Sequence, residues 1–345
     1  MIIIEKKDLD LYRYSVAKII FLRVYEEYTF LEDVKGSNCL LARKGQERFY
    51  ISVFGKPTID LGNFNLNSNI LIYYQKPQFS RNRNKFNNGL VYELSDEFDE
   101  QYNIALNEAI LFPNKFIKDN KQFDLFLEDI KINAFVVHDT SGKLYKYYST
   151  RKVKENKYGI NDGYVSFLNP SCFNDPFDCS YVLPNRKSVS NKFRVLCTIQ
   201  DPKNILMWSY YGEDHKGYCF EYSKHEIVSE LINLNIDGLC IMGRVQYADD
   251  RPYYTSPTKT FSYSNIKSII ECTFTKFKKW QHEEEYRFVI VSDSFSDENV
   301  AITLKIPIHN IINGCKGDGM PVLDSDNELT PVKKLVVDDE NYKLI

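Results

Sequence analysis

The stretch that decides the fold class is Trp280-Gln-His-Glu-Glu-Glu-Tyr-Arg-Phe-Val-Ile-Val291, in which an acidic cluster leads into an apolar run. The run Tyr286–Val291 is short and rich in aromatic and β-branched residues, which predicts a buried strand. Directly before it stand three adjacent carboxylates, Glu283, Glu284 and Glu285. Because side chains alternate along an extended chain, we predict that Glu283 and Glu285 point the same way and Glu284 points away.

Carboxylates in this position are candidates for acid–base chemistry. Adjacent like charges repel, and burial beside Trp280 or the apolar strand raises the pKa of a carboxylate. Groups with a perturbed pKa occur often at functional sites, although structural ion-pair networks perturb pKa values as well. The alternative is a solvated acidic segment whose carboxylates pair with Lys276, Lys278 and Lys279. This segment alone leaves both interpretations open.

Composition narrows the class of protein. The chain has 345 residues, which is enough for two domains of ordinary size. It is 43% hydrophobic and 26% charged, as expected for a packed globular protein. A formal charge of −3 argues against nucleic-acid binding by the chain as a whole. The 8 cysteines form no Cys-x-x-Cys pair, so we expect neither a zinc site nor a disulfide framework.

The sequence also indicates where the protein resides. Met1-Ile-Ile-Ile is followed at once by charged residues, and no apolar run approaches the ~20 residues of a membrane helix. We therefore expect a cytoplasmic protein with no membrane partner.

A polar segment around residues 136–142 predicts a domain boundary. We expect an N-terminal α+β domain over residues 1–137, with a helix at 8–28, a hairpin turning at Lys44-Gly45 and a strand at 70–74. Further helical segments are predicted from Ser95 and over 123–135. Residues 138–345 form a second, strand-rich α+β domain. Its predicted strands are 163–167, 193–199, 217–222, 240–247, 286–291, 301–306 and 334–337, and its predicted helices are 223–234 and 263–279.

Further motifs recur along the second domain. They are Leu144-Tyr-Lys-Tyr-Tyr-Ser149, Phe173-Asn-Asp-Pro-Phe-Asp178, Trp208-Ser-Tyr-Tyr211 and His215-Lys-Gly217. Together with the Trp-x-x-Glu-x-Glu-Tyr-Arg motif at residues 280–287, this ordered set resembles an uncharacterised bacterial family of unknown function. The resemblance covers residues 143–318 and does not extend to the N-terminal domain.

Each motif has a structural and a functional interpretation. Asn174 and Asp178 either cap a turn through their own backbone or bond ligand hydroxyl groups. Trp208 and Tyr211 either pack in the core or stack on a planar heterocycle such as nicotinamide or adenine. His215 is either a structural hydrogen-bond donor or a base that contacts the ligand.

The order of Tyr147, Ser166 and Glu285 resembles the layout of ADP-ribosyltransferase-like folds, in which Glu283 and Glu285 correspond to paired glutamates. The resemblance implies a split sheet in the C-terminal domain, nicotinamide adenine dinucleotide (NAD) as substrate, and no metal. It implies catalytic roles for Glu285, Glu283 and Tyr147. It implies that the dinucleotide is bound by Ser166, Asn174, Trp208, Tyr211 and His215. We therefore expect these residues to share one cleft.

Three classes of function remain open. The first is an NAD-consuming transferase or glycohydrolase, such as a toxin-like effector in bacterial defence, whose acceptor is a protein or a nucleic acid. The second is a metal-dependent effector that acts on nucleic acids, with Asp175, Asp178 and Glu283 as ligands. The third is a nucleotide-binding module without catalysis. In each case the N-terminal domain is available for sensing or for binding a protein partner.

Overall fold

A computed structural model describes residues 2–34, 37–53, 69–72, 140–180, 192–236, 238–252, 268, 270–292, 294–295, 301–341 and 343–345. The chain divides into two compact units. One comprises Ile2–Val137 with Phe261–Tyr263, and the other comprises His138–Thr260 with Ser264–Ile345. Helices and strands both occur in the described residues, so the predicted α+β class is confirmed.

In its described residues, the N-terminal unit contains one long helix and a small sheet. Its elements are β1 (Ile2–Glu5), α1 (Leu9–Val24), β2 (Thr29–Asp33), β3 (Cys39–Lys44), β4 (Glu47–Ser52) and β5 (Asn69–Ile72). Strands β2, β3, β4 and β5 lie side by side in that order, with β4 and β5 parallel and the other pairs antiparallel. The predicted hairpin turn is present, and Gly45 takes the positive φ of 60° that such a tight turn requires.

The structure changes one prediction for the N-terminal unit and does not cover two others. The first helix ends at Val24 rather than at residue 28, because residues 25–28 turn toward β2. The segments predicted as helical from Ser95 and over 123–135 lie outside the described residues.

The C-terminal unit is dominated by strands. They are β6 (Lys143–Tyr148), β7 (Tyr164–Leu168), β8 (Phe193–Thr198), β9 (Tyr218–Ser223), β10 (Leu239–Arg244), β11 (Gln246–Ala248), β12 (Thr275–Phe277), β13 (Tyr286–Val291), β14 (Ala301–Lys305), β15 (Asn310–Asn313), β16 (Val322–Leu323), β17 (Leu329–Thr330) and β18 (Val332–Lys334). The helices are α2 (Thr150–Lys154), α3 (Ile205–Tyr210) and α4 (Lys224–Asn233). Short 3₁₀ helices cover Lys157–Asp162, Pro170–Cys172 and Lys278–Glu283.

These strands form two main sheets. In the first, β10, β13, β8, β7 and β14 lie side by side in that order, and every pair is antiparallel. In the second the order is β18-β15-β9-β6, with β15 and β18 parallel. Strand β13 has its six residues buried, because it lies between β10 and β8 in the middle of the first sheet.

The two sheets meet at the end of β8. Tyr145 of β6 and Ile199 exchange two backbone hydrogen bonds, of 2.9 and 3.0 Å. In the described residues, β7 pairs with β8 at one position, Leu168–Val195. Strand β8 therefore turns from β7 toward β6 while it continues to pair with β13.

The structure corrects some predicted elements. The helix predicted over 263–279 is wrong at its end, because Thr275–Phe277 form β12, which pairs in parallel with β11. The final strand of the second sheet is Val332–Lys334 rather than 334–337. No helix within the described ranges is long and apolar enough to cross a membrane.

Candidate functional site

The acidic segment occupies the turn that leads into β13. Glu283 ends a 3₁₀ helix, and Glu284 has a left-handed backbone with φ 46°. The side chains of Glu283 and Glu285 both contact the Lys276 ammonium, at 3.4 Å for Glu285, while Glu284 is exposed. Glu283 and Glu285 thus point to the same side and Glu284 points away. The reason is the left-handed backbone at Glu284, and not the strand pleat that the sequence suggested.

Arg287, the second residue of β13, binds the carboxylate of Glu285. Arg287 Nε donates to Glu285 Oε1 at 3.0 Å, and Nη2 donates to Oε2 at 2.8 Å. Nη2 also donates to Asp178 Oδ2 at 2.7 Å, and Nη1 donates to the Thr273 carbonyl at 2.6 Å. A bidentate, charge-assisted contact of this kind fixes the Glu285 carboxylate in one orientation.

Asp178 completes what we call the charged cluster, which consists of Asp178, Lys276, Glu283, Glu285 and Arg287. Asp178 Oδ2 lies 3.4 Å from Lys276 Nζ, so this single ammonium contacts all three carboxylates. Each side chain in the cluster is exposed by 5% or less. Asp178 Oδ1 is buried, and no group in the described part of the chain hydrogen-bonds it. Three carboxylates face two cations, so one negative charge is in excess when all are ionised.

The two glutamates differ in acidity. Burial disfavours the charged form of Glu285, but the Arg287 guanidinium and then Lys276 outweigh it and hold the pKa of Glu285 at about 2. Burial is also the largest influence on Glu283, and there it prevails over Lys276, so the pKa of Glu283 is raised. The difference follows from the guanidinium, which contacts Glu285 and not Glu283.

Further residues surround the cluster. The Tyr211 hydroxyl donates to Glu283 Oε1 at 2.8 Å, and Asn174 hydrogen-bonds the Tyr211 side chain. The Cys197 thiol, on β8, hydrogen-bonds Glu285. Lys146 Nζ, on β6, donates to the Cys197 carbonyl at 3.0 Å. Burial lowers the pKa of Lys146.

A cavity of about 580 Å³ adjoins Lys276. Its walls carry two cation–aromatic pairs. Lys276 Nζ lies 5.2 Å from the ring centroid of Trp280, and the Arg251 guanidinium lies 5.5 Å from that of Phe177. Asn174 lines the same cavity, which therefore connects through Tyr211 to Glu283. We call it the Trp280 cavity. Aromatic faces and cations together suit a planar, anionic ligand.

A second cavity, of about 410 Å³, adjoins Glu285 itself. Arg244, Tyr247, His282 and Glu284 lie in its wall. The backbone N–H of Glu285 donates to the Tyr247 hydroxyl at 2.9 Å, which ties the turn to β11. The glutamate pair thus lies between two cavities, one on the Lys276 side and one on the Tyr247 side.

Tyr147 and Trp208 lie in the apolar core and not at the charged cluster. Their ring centroids are 4.9 Å apart at 89°, an edge-to-face contact that we call the aromatic pair. The Tyr147 hydroxyl and the Trp208 indole N–H both donate to the Pro202 carbonyl, at 3.1 and 2.7 Å. Trp208 is fully buried, so its ring has no free face for a ligand. Neither residue lines the two cavities described above.

Ser166 and His215 also lie apart from the glutamates. Ser166 of β7 pairs with Thr303 on β14, whereas Cys197 of β8 is the residue beside Glu285. His215 Nε2 lies 3.0 Å from Ser209 Oγ, and His215 lines a different cavity with Cys315. The structure gathers Glu283, Glu285, Tyr211 and Asn174. Among the described residues, no one cavity is lined by Tyr147, Ser166, Trp208, His215 and Glu285 together, so the single cleft stays a prediction.

The residues expected to bind metal in the nuclease interpretation have other partners. Asp175 Oδ1 accepts the Phe177 backbone N–H at 2.9 Å, as in an Asx turn. Asp178 and Glu283 bind Lys276. Among the described residues, no three His, Cys, Asp or Glu side chains are grouped as metal ligands.

Sequence reasoning named Lys276 as a partner of these carboxylates, although in a solvated segment, and it missed Arg287, Cys197 and Lys146. Arg287 carried a signal, because an arginine within an apolar strand must find buried anions. Cys197 and Lys146 had no signal for this role, because it depends on pairing between distant strands.

Part of the C-terminal unit is similar to a known protein family. Residues 207–288 match the model of a family described as a protein of unknown function, DUF2971. The matched span begins in α3 and ends in β13, so it contains Tyr211, Lys276 and both buried glutamates. Searches of curated proteins and of solved structures found no match.

Proposed function

We propose that the C-terminal unit consumes NAD by cleaving the bond between nicotinamide and ribose, as a glycohydrolase or an ADP-ribosyltransferase. One observation carries the proposal. Glu283 and Glu285 converge on Lys276, and the Lys276 side chain also forms part of the wall of the Trp280 cavity. A pair of buried carboxylates beside a cavity with aromatic and cationic walls suits a dinucleotide that forms a cation as it reacts.

The chemistry assigns different roles to the two glutamates. Departure of nicotinamide leaves positive charge on the ribose, and a fixed carboxylate nearby stabilises it. Glu285 fits this role because Arg287 holds it in one orientation and its pKa of about 2 keeps it ionised. Glu283 has a raised pKa, which suits an acid–base group that orients the acceptor and deprotonates it when ionised.

The Trp280 cavity supplies binding groups for the substrate. Trp280 and Phe177 offer ring faces for a heterocycle, and Phe177 is 62% exposed. Arg251 offers a guanidinium suited to a phosphate oxygen. Asn174 and Tyr211 keep the binding roles expected from the sequence. Tyr147 and Trp208 lose their expected roles, because the core already uses their rings and their donors.

The path of the strands supports the same interpretation. Strand β8 pairs with β13 and, at its end, bridges to β6, so the strand that follows Glu285 and the Tyr-rich strand β6 have β8 as a common neighbour. This agrees with the layout of a Tyr-bearing first strand and a Glu ahead of a later strand. We propose that Cys197 of β8 occupies the middle position that the sequence assigned to Ser166.

The biological setting that we propose is a toxin-like effector in bacterial defence. The acceptor is water, a protein or a nucleic acid, and the N-terminal unit senses a trigger or binds a protein partner. Depletion of cellular NAD on expression of the full chain, and not of its Glu285→Gln variant, is the expected outcome.

The direct test uses the purified full chain and NAD, with nicotinamide release followed by mass spectrometry. We expect Glu285→Gln to lose ~10²–10³-fold in rate, the usual effect of removing one preorganised charge. Glu284→Gln is the matched control, because Glu284 is adjacent in sequence but exposed. Equal rates for Glu285→Gln and the parent protein would contradict the proposal.

A nucleotide-binding module without catalysis is the second candidate. The favouring observation is that Arg287 and Lys276 already bind both glutamates, as in a purely structural ion-pair network. Tight NAD binding by calorimetry without release of nicotinamide would identify this function.

A further inference from the structure

The charge balance of the cluster indicates where a proton resides. Three buried carboxylates share the two cations that contact them, and an excess buried charge is costly. Lys146, the next cation toward Glu285, is buried as well, and burial lowers the pKa of its ammonium group. Arg287 contacts Glu285 and Asp178, whereas Glu283 is bound by Lys276 and by the Tyr211 hydroxyl. Glu283 is therefore the carboxylate on which protonation costs the least, because it lacks the guanidinium.

The surroundings of Glu283 support this assignment. The titratable groups that face it are Lys276 on β12, Glu285 before β13, Tyr211 after α3 and Tyr247 on β11. Burial raises the pKa of Glu283, Lys276 lowers it, and the negative charge of Glu285 raises it again. Protonating Glu283 makes the cluster neutral, with two carboxylates and two cations.

We propose that Glu283 is a proton donor, and that the C-terminal unit also cleaves N-glycosidic bonds to uncharged nucleobases. This inference rests on the proposed function, because it assumes that the same site cleaves an N-ribosyl bond. Nicotinamide leaves its cationic substrate as a neutral molecule and needs no proton. An uncharged base leaves as an anion unless an acid protonates it. A proton stored on Glu283 therefore serves a substrate such as a purine nucleotide, and not NAD.

The proposed step is balanced in atoms and electrons. The bond between the anomeric carbon and the base nitrogen breaks, and its electron pair leaves with the base. In the ionised form of Glu283 the Tyr211 hydroxyl donates to Glu283 Oε1 at 2.8 Å. When Glu283 is protonated this hydrogen bond reverses, so Glu283 donates its proton to the Tyr211 oxygen while Tyr211 passes its own hydroxyl proton to the base. Water then attacks the anomeric carbon, and the proton that it loses returns to Glu283. The products are the free base and the ribose phosphate.

Tyr211 provides the route to the substrate. It is half-buried, and its side chain hydrogen-bonds Asn174, which lines the Trp280 cavity. A nucleobase stacked on Trp280 or Phe177 in that cavity lies on the same side as Asn174. The exposed Phe177 ring and the half-buried Trp280 ring accept a purine as readily as nicotinamide, since stacking tolerates different bases.

The experiment compares two substrates on the full chain. Adenine release from adenosine monophosphate and nicotinamide release from NAD are measured by mass spectrometry, from mildly acidic to mildly alkaline pH. Because the pKa of Glu283 is raised, adenine release should be fastest at low pH and fall as the pH rises through that pKa. Glu283→Gln should reduce adenine release ~10²-fold or more, the usual range for a general acid.

Two further variants keep the test decisive. Tyr211→Phe removes the hydroxyl without removing the ring, so it should reduce adenine release more than nicotinamide release even if Glu283→Gln folds poorly. Glu284→Gln should leave both rates unchanged. Nicotinamide release without adenine release would overturn the inference and leave the proposed function standing. Absence of both products would overturn the proposed function, and the inference with it. Equal losses of both activities in Tyr211→Phe would also overturn the inference.

Discussion

The charged cluster and the aromatic pair differ in burial and in what their polar atoms contact. The whole charged cluster is buried, whereas in the aromatic pair Trp208 is buried and Tyr147 is half-buried. The donors of Tyr147 and Trp208 both end on one backbone carbonyl, that of Pro202. In the charged cluster an excess carboxylate remains, and no described group hydrogen-bonds Asp178 Oδ1. Both regions contain motif residues that suggest a ligand. The comparison teaches that residue types in a sequence indicate several candidate ligand sites. Unbalanced buried charge then separates the charged cluster, as a candidate site, from the aromatic pair, whose polar groups are satisfied within the core.

The largest expected effect comes from removing the central cation of the cluster. Arg287→Met leaves the Glu285 and Asp178 carboxylates without their guanidinium, so we expect the free energy of unfolding to fall by about 3–5 kcal/mol. Chemical denaturation measures this loss. Arg244→Met is the matched control, because Arg244 is exposed at the end of the neighbouring strand β10. Similar unfolding free energies for the two variants would show that the contacts of Arg287 in the charged cluster do not stabilise the fold.

The next effect is the response of the cluster to acid. The folded-state pKa of Glu285 is about 2, below the ordinary value of 4.5. Its contribution to stability is therefore complete above the ordinary pKa and is lost as the pH falls toward the folded value. The loss is on the order of 3 kcal/mol, at 1.36 kcal/mol for each unit of pKa. Denaturant titrations at decreasing pH should show this slope, and Glu285→Gln should flatten it. An unchanged slope in Glu285→Gln would contradict the assignment.

A smaller effect is expected from a substitution in the aromatic pair. Tyr147→Phe removes one hydrogen bond to the Pro202 carbonyl, which still accepts the Trp208 N–H. We expect a loss of about 1 kcal/mol in unfolding free energy. Because Tyr147 belongs to the core, nicotinamide release should not change. A large loss of activity with unchanged stability would return Tyr147 to the catalytic role suggested by the sequence.

The smallest effect is expected at the exposed glutamate. Glu284→Gln changes a charge outside the cluster, so unfolding free energy should change by no more than about 0.5 kcal/mol. Thermal unfolding measures it. A larger destabilisation would mean that Glu284 takes part in the ion-pair network, and the contrast with Glu283 and Glu285 would be lost.

Local patterns in the sequence predicted several elements of the structure. The apolar run after Glu285 becomes β13, and Gly45 forms the hairpin turn. These features depend on neighbours within a few residues. The helix predicted over 263–279 was wrong at Thr275–Phe277, because pairing with β11 overrode the local helical pattern. The described cavities do not bring the residues of the predicted cleft together, because motif order along a chain does not specify which strands become neighbours.

The sequence by itself determined the α+β class, the buried strand after the acidic segment, and the residue types able to do chemistry. Tertiary structure decided which of them meet. Arg287 binds Asp178 across 109 positions of sequence, and Tyr211 reaches Glu283 across 72. It also decided that Glu285 is strongly acidic and that Glu283 is not, because one guanidinium on β13 contacts the first carboxylate and misses the second. A pKa depends on burial and on charges a few ångströms away, and in this cluster those charges come from segments far apart in the chain.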